Sequence, residues 1–157
     1  MKHVVNQVHK FLIKKKITLA VAESCTGGLL SKLLTDLPGS SKYFILGIVA
    51  YSNRAKHKLL GIPAKLTAQK GAVSREVARN IAKQVRKIAQ TDFGIGVTGI
   101  AGPTGGTSQK PVGTVFIAID TKNKNICKKF HFMGSRSLIR KKAALKSLEL
   151  LKSILKA

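Results

Sequence analysis

A three-layer α/β/α domain with a mixed, mostly parallel sheet is the fold class this sequence predicts. Three observations carry it. Short apolar runs of strand length alternate with segments whose apolar residues recur at helical spacing. Two late runs flank a polar turn, the signature of an antiparallel hairpin. No internal repeat, linker or change of composition divides the 157 residues, so residues 1–157 read as a single domain with one well-covered core.

The elements follow in order along the chain. Val4, Val5, Val8, Leu12 and Ile13 sit at helical spacing and predict an opening amphipathic helix over 4–15. Ile17 to Ala22 is a short apolar run, read as a buried strand, and Glu23-Ser24-Cys25-Thr26-Gly27-Gly28 interrupts it. Leu29 to Leu37 reads as helix until Pro38-Gly39 stops it. Tyr43 to Tyr51 is the second strand. Ser52-Asn53 caps a short helix that carries Lys56 and ends near Gly61. Ser74 is the N-cap of a longer helix bearing Val77, Ile81, Val85 and Ile88. Phe93 to Ile100 is the third strand, and a Gly/Pro-rich loop over 102–113 follows it. Thr114 to Ile119 and Ile126 to Phe132 form the hairpin around Thr121–Asn125. The last helix starts near Ser135 and presents Leu138, Ile139, Leu145, Leu148, Leu151 and Leu155.

Aromatic residues make up 5% of the chain and Trp is absent, which makes the expected core aliphatic. Charge is the compositional anomaly: 29 Lys and Arg face 6 Asp and Glu, a formal +23. Such a field attracts anions and speeds their encounter, and salt weakens it. Phosphorylated metabolites, acidic lipid and nucleic acid are all compatible partners. A lysine-rich solvated surface explains the same numbers. No apolar run reaches signal-peptide or membrane-spanning length. Cys25 and Cys127 lack C-x-x-C or metal-type spacing and read as reduced thiols, so the expected location is cytoplasmic.

Strand, turn and helix over 17–37 form the most informative local feature. A serine between a strand end and a helix start holds its hydroxyl on a sharp turn beside free backbone N–H groups. That arrangement suits a nucleophile with an adjacent oxyanion hole. Ser24 or Thr26 acting only as an N-cap fits equally well, with Gly27 and Gly28 making the turn. A serine needs a base, and His3, His9, His57 and His131 show no ligand or catalytic spacing. Ser153 to Lys156 matches S-x-x-K but lies on a terminal helix face. Lys56, on a short helix after a strand, is the better candidate, because a desolvated lysine loses its proton more easily. Gly94, Gly96 and Gly99 match G-x-G-x-x-G, yet they fall inside an apolar run and do not open a helix, so no dinucleotide site follows. The loop from Thr98 to Gly106 exposes successive N–H groups and reads as either a phosphate cradle or a plain surface loop.

Five segments taken together resemble a known family. They are Ala22-Glu23-Ser24-Cys25-Thr26-Gly27-Gly28; Ala50-Tyr51-Ser52-Asn53 with Lys56; Gly71-Ala72-Val73-Ser74; Thr98-Gly99-Ile100-Ala101-Gly102-Pro103 with Gly105-Gly106; and Lys110-Pro111-Val112-Gly113-Thr114-Val115. In this order they are similar to the CinA C-terminal-domain family, the nicotinamide-nucleotide amidases, from about Thr18 to the last helix. The resemblance implies an α/β/α fold and hydrolysis of nicotinamide mononucleotide to nicotinate mononucleotide and ammonia, with no cofactor and no metal. It makes Ser24 the nucleophile, Lys56 its base, and Tyr51 an aid to proton transfer or positioning. Cys25, Thr26, Gly27 and Gly28 would surround the oxyanion, while Thr98, Gly99 and Gly102 would line the nucleotide pocket. Arg136 and Arg140 are the candidates for the substrate phosphate, with Arg140 preferred. A homo-oligomer is expected and a membrane partner is not. Larger relatives carry an additional domain resembling molybdopterin-binding proteins, and this chain is expected to lack that domain's activity. The competing expectation is a competence-associated nucleic-acid- or nucleotide-binding protein without turnover.

Overall fold

The computed structural model describes residues 2–156; Met1 and Ala157, the outermost positions of the single domain read above, lie outside them. The elements are α1 (Lys2–Lys15), β1 (Leu19–Glu23), α2 (Leu29–Thr35), β2 (Phe44–Val49), α3 (Asn53–Leu60), α4 (Ala64–Lys70), α5 (Arg75–Ala89), β3 (Phe93–Gly99), β4 (Thr114–Asp120), β5 (Asn125–His131) and α6 (Arg136–Lys156). The five strands form one sheet in the order β2-β1-β3-β4-β5. β1 pairs in parallel with β2 and β3, and β4 runs antiparallel to both of its neighbours. Four strands therefore share one direction and only β4 opposes them, which is the mixed, mostly parallel sheet of a three-layer domain.

Side-chain alternation sorts the two faces. Leu19 and Val21 of β1, Ile95 and Val97 of β3, and Val115, Ile117 and Ile119 of β4 point to one side, where they pack with buried residues of α1, α2 and α6. The other face is built from small residues. Ala20 and Ala22 of β1 pack with Val77, Ile81 and Val85 of α5, and Ala118 of β4 packs with Ala78 and Ala82. Between them β3 offers only Gly94 and Gly96. A methyl group at Gly94 would sit 2.2 Å from the Ala82 carbonyl oxygen, and one at Gly96 would sit 2.6 Å from the Ala78 carbonyl oxygen. The first two glycines of the G-x-G-x-x-G match thus let helix α5 lie directly on the strand backbone. Gly94 and Gly96 serve packing.

Boundaries differ from expectation where polar residues compete. The second strand is shorter than Tyr43–Tyr51, since Tyr43 is buried with its hydroxyl donating to the Leu34 carbonyl at 2.7 Å. The helix expected over Leu29–Leu37 closes at Thr35. α4 had no sequence signal. Its seven residues, AKLTAQK, carry little apolar periodicity, and only Thr67 is buried.

Ser52 and Ser74 are the N-caps read from sequence, their hydroxyls accepting from Ala55 N–H and Val77 N–H. The final helix buries Ile139, Leu148, Leu151 and Leu155 as expected, whereas Leu138 is exposed at its first turn.

Overpacking of a close-packed interior costs about 1–3 kcal/mol and sometimes more. Gly94→Ala and Gly96→Ala are each expected to lower the melting temperature by several degrees, at roughly 2–4 °C per kcal/mol for a chain this size. Thermal denaturation followed by circular dichroism checks this, and an unchanged melt for both would contradict direct backbone contact with α5.

Candidate active site

β1 sits at the point where the chain reverses the direction in which it adds strands, with β2 on one side and β3 on the other. In open α/β sheets the carboxyl end of such a strand opens into a crevice, because the loops on either side diverge. Ser24 is the first residue past β1 and is fixed there by its own backbone, its N–H donating to the Val97 carbonyl of β3 at 3.1 Å. On the other side, Ala50 N–H donates to the Glu23 carbonyl at 2.9 Å. The serine is thus stitched between both neighbouring strand ends.

The turn that follows is locked by Glu23, a carboxylate that is 1% exposed. One of its oxygens accepts from Leu30 N–H at 2.9 Å, and the other from Ser31 N–H at 2.8 Å and the Ser31 hydroxyl at 2.6 Å. A negative charge against the free N–H groups of α2 suits the helix dipole and supplies the cap that Gly28 cannot. Gly27 and Gly28 both have positive φ, +59° and +92°, a region that costs glycine little. Arg140 closes the turn from below. Its Nη2 donates to the Thr26 carbonyl at 2.9 Å, and a methyl group at Gly27 would meet the same nitrogen at 2.9 Å.

Lys56 reaches Ser24 from α3. Its Nζ lies 3.2 Å from Ser24 Oγ and donates to the Tyr51 carbonyl, also at 3.2 Å. The residue is 2% exposed, and among the described residues no carboxylate lies within ion-pair reach of it. Burial without a counter-charge favours the neutral amine and pulls its pKa below the ordinary 10.5. Burial has the opposite effect on the neighbouring Cys25 thiol, which is pushed up to about 12. At neutral pH Cys25 is therefore protonated and a weak nucleophile, while Ser24 has a depressed amine in hydrogen-bond contact.

Ser24, Cys25 and Lys56 open into a cavity of about 280 Å³. Its walls come from the Tyr51–Asn53 segment, from Ala72 and Val73, from the loop after β3 (Thr98 to Gly102, with Thr104 and Gly105), and from Arg136 at the start of α6. Among the described residues no acidic side chain lines the cavity, and with the Lys56 amine favoured neutral it is Arg136 that supplies its positive charge. Arg136 bridges the mouth, donating from Nη1 to the Gly102 carbonyl and from Nη2 to the Tyr51 hydroxyl, each at 2.8 Å.

Several expected site residues are placed differently. Arg140, preferred for phosphate, does not line the cavity, because its guanidinium is taken up by the Thr26 carbonyl; Arg136, one helical turn earlier, does. Tyr51 is 57% exposed and its hydroxyl meets Arg136, while Lys56 is held by the Tyr51 carbonyl, so the backbone of Tyr51 and not its hydroxyl is what bonds the amine. Thr26, Gly27 and Gly28 form the turn behind Ser24 and are not cavity wall; the Thr26 hydroxyl is buried without a hydrogen-bond partner among the described residues. Thr98, Gly99 and Gly102 do line the cavity, although the Thr98 hydroxyl donates to the Ala72 carbonyl at 2.8 Å and is not free. Asn53 and Thr104 line it as well and were not singled out from the sequence. Ser52 performs the capping, which leaves Asn53 on the cavity side, a distinction that the Ser-Asn pair alone does not make.

Known proteins show the same architecture. The sequence profile described as the CinA C-terminal domain matches residues 1–155. A competence-damage inducible protein of Thermoanaerobacter pseudethanolicus is 50% identical over 148 residues, which are 94% of this chain and 36% of that protein. A CinA-like protein of Geobacter sulfurreducens is 48% identical over 145 residues, 92% of this chain and 35% of that one. The chain thus spans about a third of the length of these curated relatives. The crystal structure of competence damage-inducible protein A from Klebsiella pneumoniae superposes with a TM-score of 0.95 at 30% identity, covering 99% of this chain and 96% of the other. The competence/damage inducible protein of Agrobacterium tumefaciens gives 0.95 at 33% identity, with 99% and 95% covered. On both the profile and the fold, the chain belongs to the CinA C-terminal-domain family.

Proposed function

We propose that the protein is an amidohydrolase that deamidates a pyridine mononucleotide, nicotinamide mononucleotide in the first instance, through an acyl-serine intermediate. The observation that supports it most is the 3.2 Å approach of a buried, carboxylate-free Lys56 amine to Ser24 Oγ at the floor of a positive cavity.

In this reading neutral Lys56 accepts the Ser24 proton as Oγ attacks the carboxamide carbon. The oxygen that becomes negative needs donors already in place. The Cys25 N–H, one residue beyond the nucleophile, is the donor proposed for that task; one such donor is typically worth about 3–4 kcal/mol. Collapse of the tetrahedral adduct breaks the C–N bond, and the Lys56 proton passes to the leaving nitrogen, which departs as ammonia. Water then attacks the acyl ester and gives its proton to Lys56. The carboxylate product leaves and Ser24 Oγ regains its proton. Protons pass only between Ser24, Lys56, water and the leaving nitrogen in this cycle, and the backbone N–H keeps its own.

The cavity walls support this choice of substrate class. Arg136 at the mouth is a planar donor suited to a phosphate. The Thr98–Gly105 loop presents backbone close to the floor, and Asn53 offers an amide to a ribose or carboxamide. Arg140 acts at one remove, holding the Thr26 carbonyl and with it the turn that bears the nucleophile.

Three outcomes are expected. Ser24→Ala abolishes ammonia release from nicotinamide mononucleotide, by about a thousandfold or more, and leaves the circular dichroism spectrum unchanged; Cys25→Ala retains turnover. The reverse pattern would assign the nucleophile to the thiol. Arg136→Ala raises KM for the mononucleotide at least tenfold but leaves the unphosphorylated riboside unaffected, as steady-state kinetics on both substrates will show.

The third concerns pH. A lysine whose folded pKa is depressed binds its proton more readily in the unfolded chain. It therefore destabilises the fold at neutral pH, and this burden lifts as pH rises from the folded pKa towards the ordinary 10.5. Lys56→Met is expected to be inactive yet to melt higher than the natural protein at pH 7, with the difference shrinking as pH is raised. A lower melting temperature at pH 7 would contradict a desolvated, uncompensated amine.

A further inference from the structure

At the end of the sheet remote from Ser24 lies a second concavity of about 420 Å³. β3 fixes its distance from the active site. Ser24 is tied to Val97 near one end of that strand, whereas Asp120, in the wall of this concavity, pairs with Gly94 near the other. One wall is α5, which contributes Arg79, Lys83 and Arg86; the other is the β4–β5 turn, which contributes Lys122 and Lys124. Five cations from two elements thus face one hollow.

Two features separate this hollow from the general positive surface. The first is that its arginines are held in place from behind. Asp120 is 4% exposed, and one carboxylate oxygen accepts from Arg86 Nε at 2.6 Å while the other accepts from the Asn125 side-chain amide at 2.8 Å. Asn125 in turn accepts from Arg79, its side-chain oxygen from Nε at 3.1 Å and its carbonyl from Nη2 at 2.8 Å. One buried carboxylate thereby orients both guanidinium groups through a chain of hydrogen bonds, and it is the sole acidic residue in the lining. The second feature is spacing. Positions 79, 83 and 86 are i, i+4 and i+7 on a helix, one face, where like charges repel. At 1.5 Å per residue the row is about 10 Å long. A row of cations on one face, faced by two more across a gap, meets one carboxylate among the lining residues, which pairs with Arg86 and leaves the other four positive charges without an acidic partner in the lining.

We propose that this concavity binds an anion with several linked phosphates, sitting between the α5 row and the β4–β5 turn. A single phosphate reaches too little of a row about 10 Å long to meet both ends of it, and no aromatic residue lines the hollow to stack a base. Recognition is therefore of the phosphates themselves, whether in a free polyphosphate or along a nucleic-acid backbone. The site is independent of the reaction assigned to Ser24.

The test uses isothermal titration of the natural protein with inorganic tripolyphosphate, orthophosphate and a twelve-residue oligothymidylate at low salt. Two charge-matched double variants are titrated in parallel: K83E/K122E in the concavity and K10E/K14E on the exposed face of α1. Tripolyphosphate and the oligonucleotide are expected to bind the natural protein at least tenfold more tightly than K83E/K122E and within threefold of K10E/K14E. Orthophosphate should bind at least tenfold more weakly than tripolyphosphate. Tighter binding of the oligonucleotide, with an affinity falling steeply in salt, would identify the backbone as the natural source; equal or weaker binding would identify a free polyphosphate. Equal losses in the two double variants would reduce the effect to net charge and overturn the proposal, as would orthophosphate binding as well as tripolyphosphate. Amide chemical-shift mapping of the natural protein with tripolyphosphate gives the same answer without any variant. Shifts gathered at 79–86 and 120–125 uphold the site, and shifts scattered over the lysine surface reject it.

Discussion

The amine of Lys56 is held out of water against a serine hydroxyl, with a backbone carbonyl and no carboxylate for company. That constraint organises the end of the sheet around it. A charged ammonium in such a place is costly, and the neutral form is favoured. α3 begins at the Ser52 cap shortly after β2, which adjoins β1, so the first turn of α3 faces the residue that follows β1. Adjacency of two parallel strands brings residues 24 and 56 together across 32 positions of sequence.

The surroundings then divide into groups that face the cavity and groups that hold those in place. Glu23, buried one residue before the nucleophile, spends its charge on the start of α2 and so fixes the turn without entering the cavity. Arg140 holds the same turn from the other side. Thr98 anchors the Ala72 carbonyl and shapes the wall rather than offering a free hydroxyl. Beneath all of this, the contact of α5 with Gly94 and Gly96 fixes the helix against the sheet. The same helix carries the cation row of the opposite concavity, so the glycines of β3 bear on both ends of the molecule.

Much of this was legible in the sequence. The strand runs and the hairpin were clear because apolar stretches ended at strong turn residues, and the serine caps stood at the positions that free N–H groups demand. Local context made Ser24 and Lys56 candidates for nucleophile and base, but one lysine among so many carries a weak mark, and it was resemblance that paired them. α4 stayed hidden because seven mostly polar residues show no period. The choice between Arg136 and Arg140 was beyond any local pattern. They are one helical turn apart on one face, and what separates them is tertiary: a carbonyl at Gly102 for the first and one at Thr26 for the second. The packing role of Gly94 and Gly96 in β3 was not legible, because it needs the helix above them to be seen.

The central claim is an amine deprotonated more easily than any exposed lysine. The direct measurement is a pH titration of the Lys56 side chain by nuclear magnetic resonance, following its Cε and Nζ signals assigned by their loss in Lys56→Met. The account predicts a midpoint below the ordinary 10.5, distinct from the bulk lysine signals. A midpoint at or above that of the exposed lysines would contradict it.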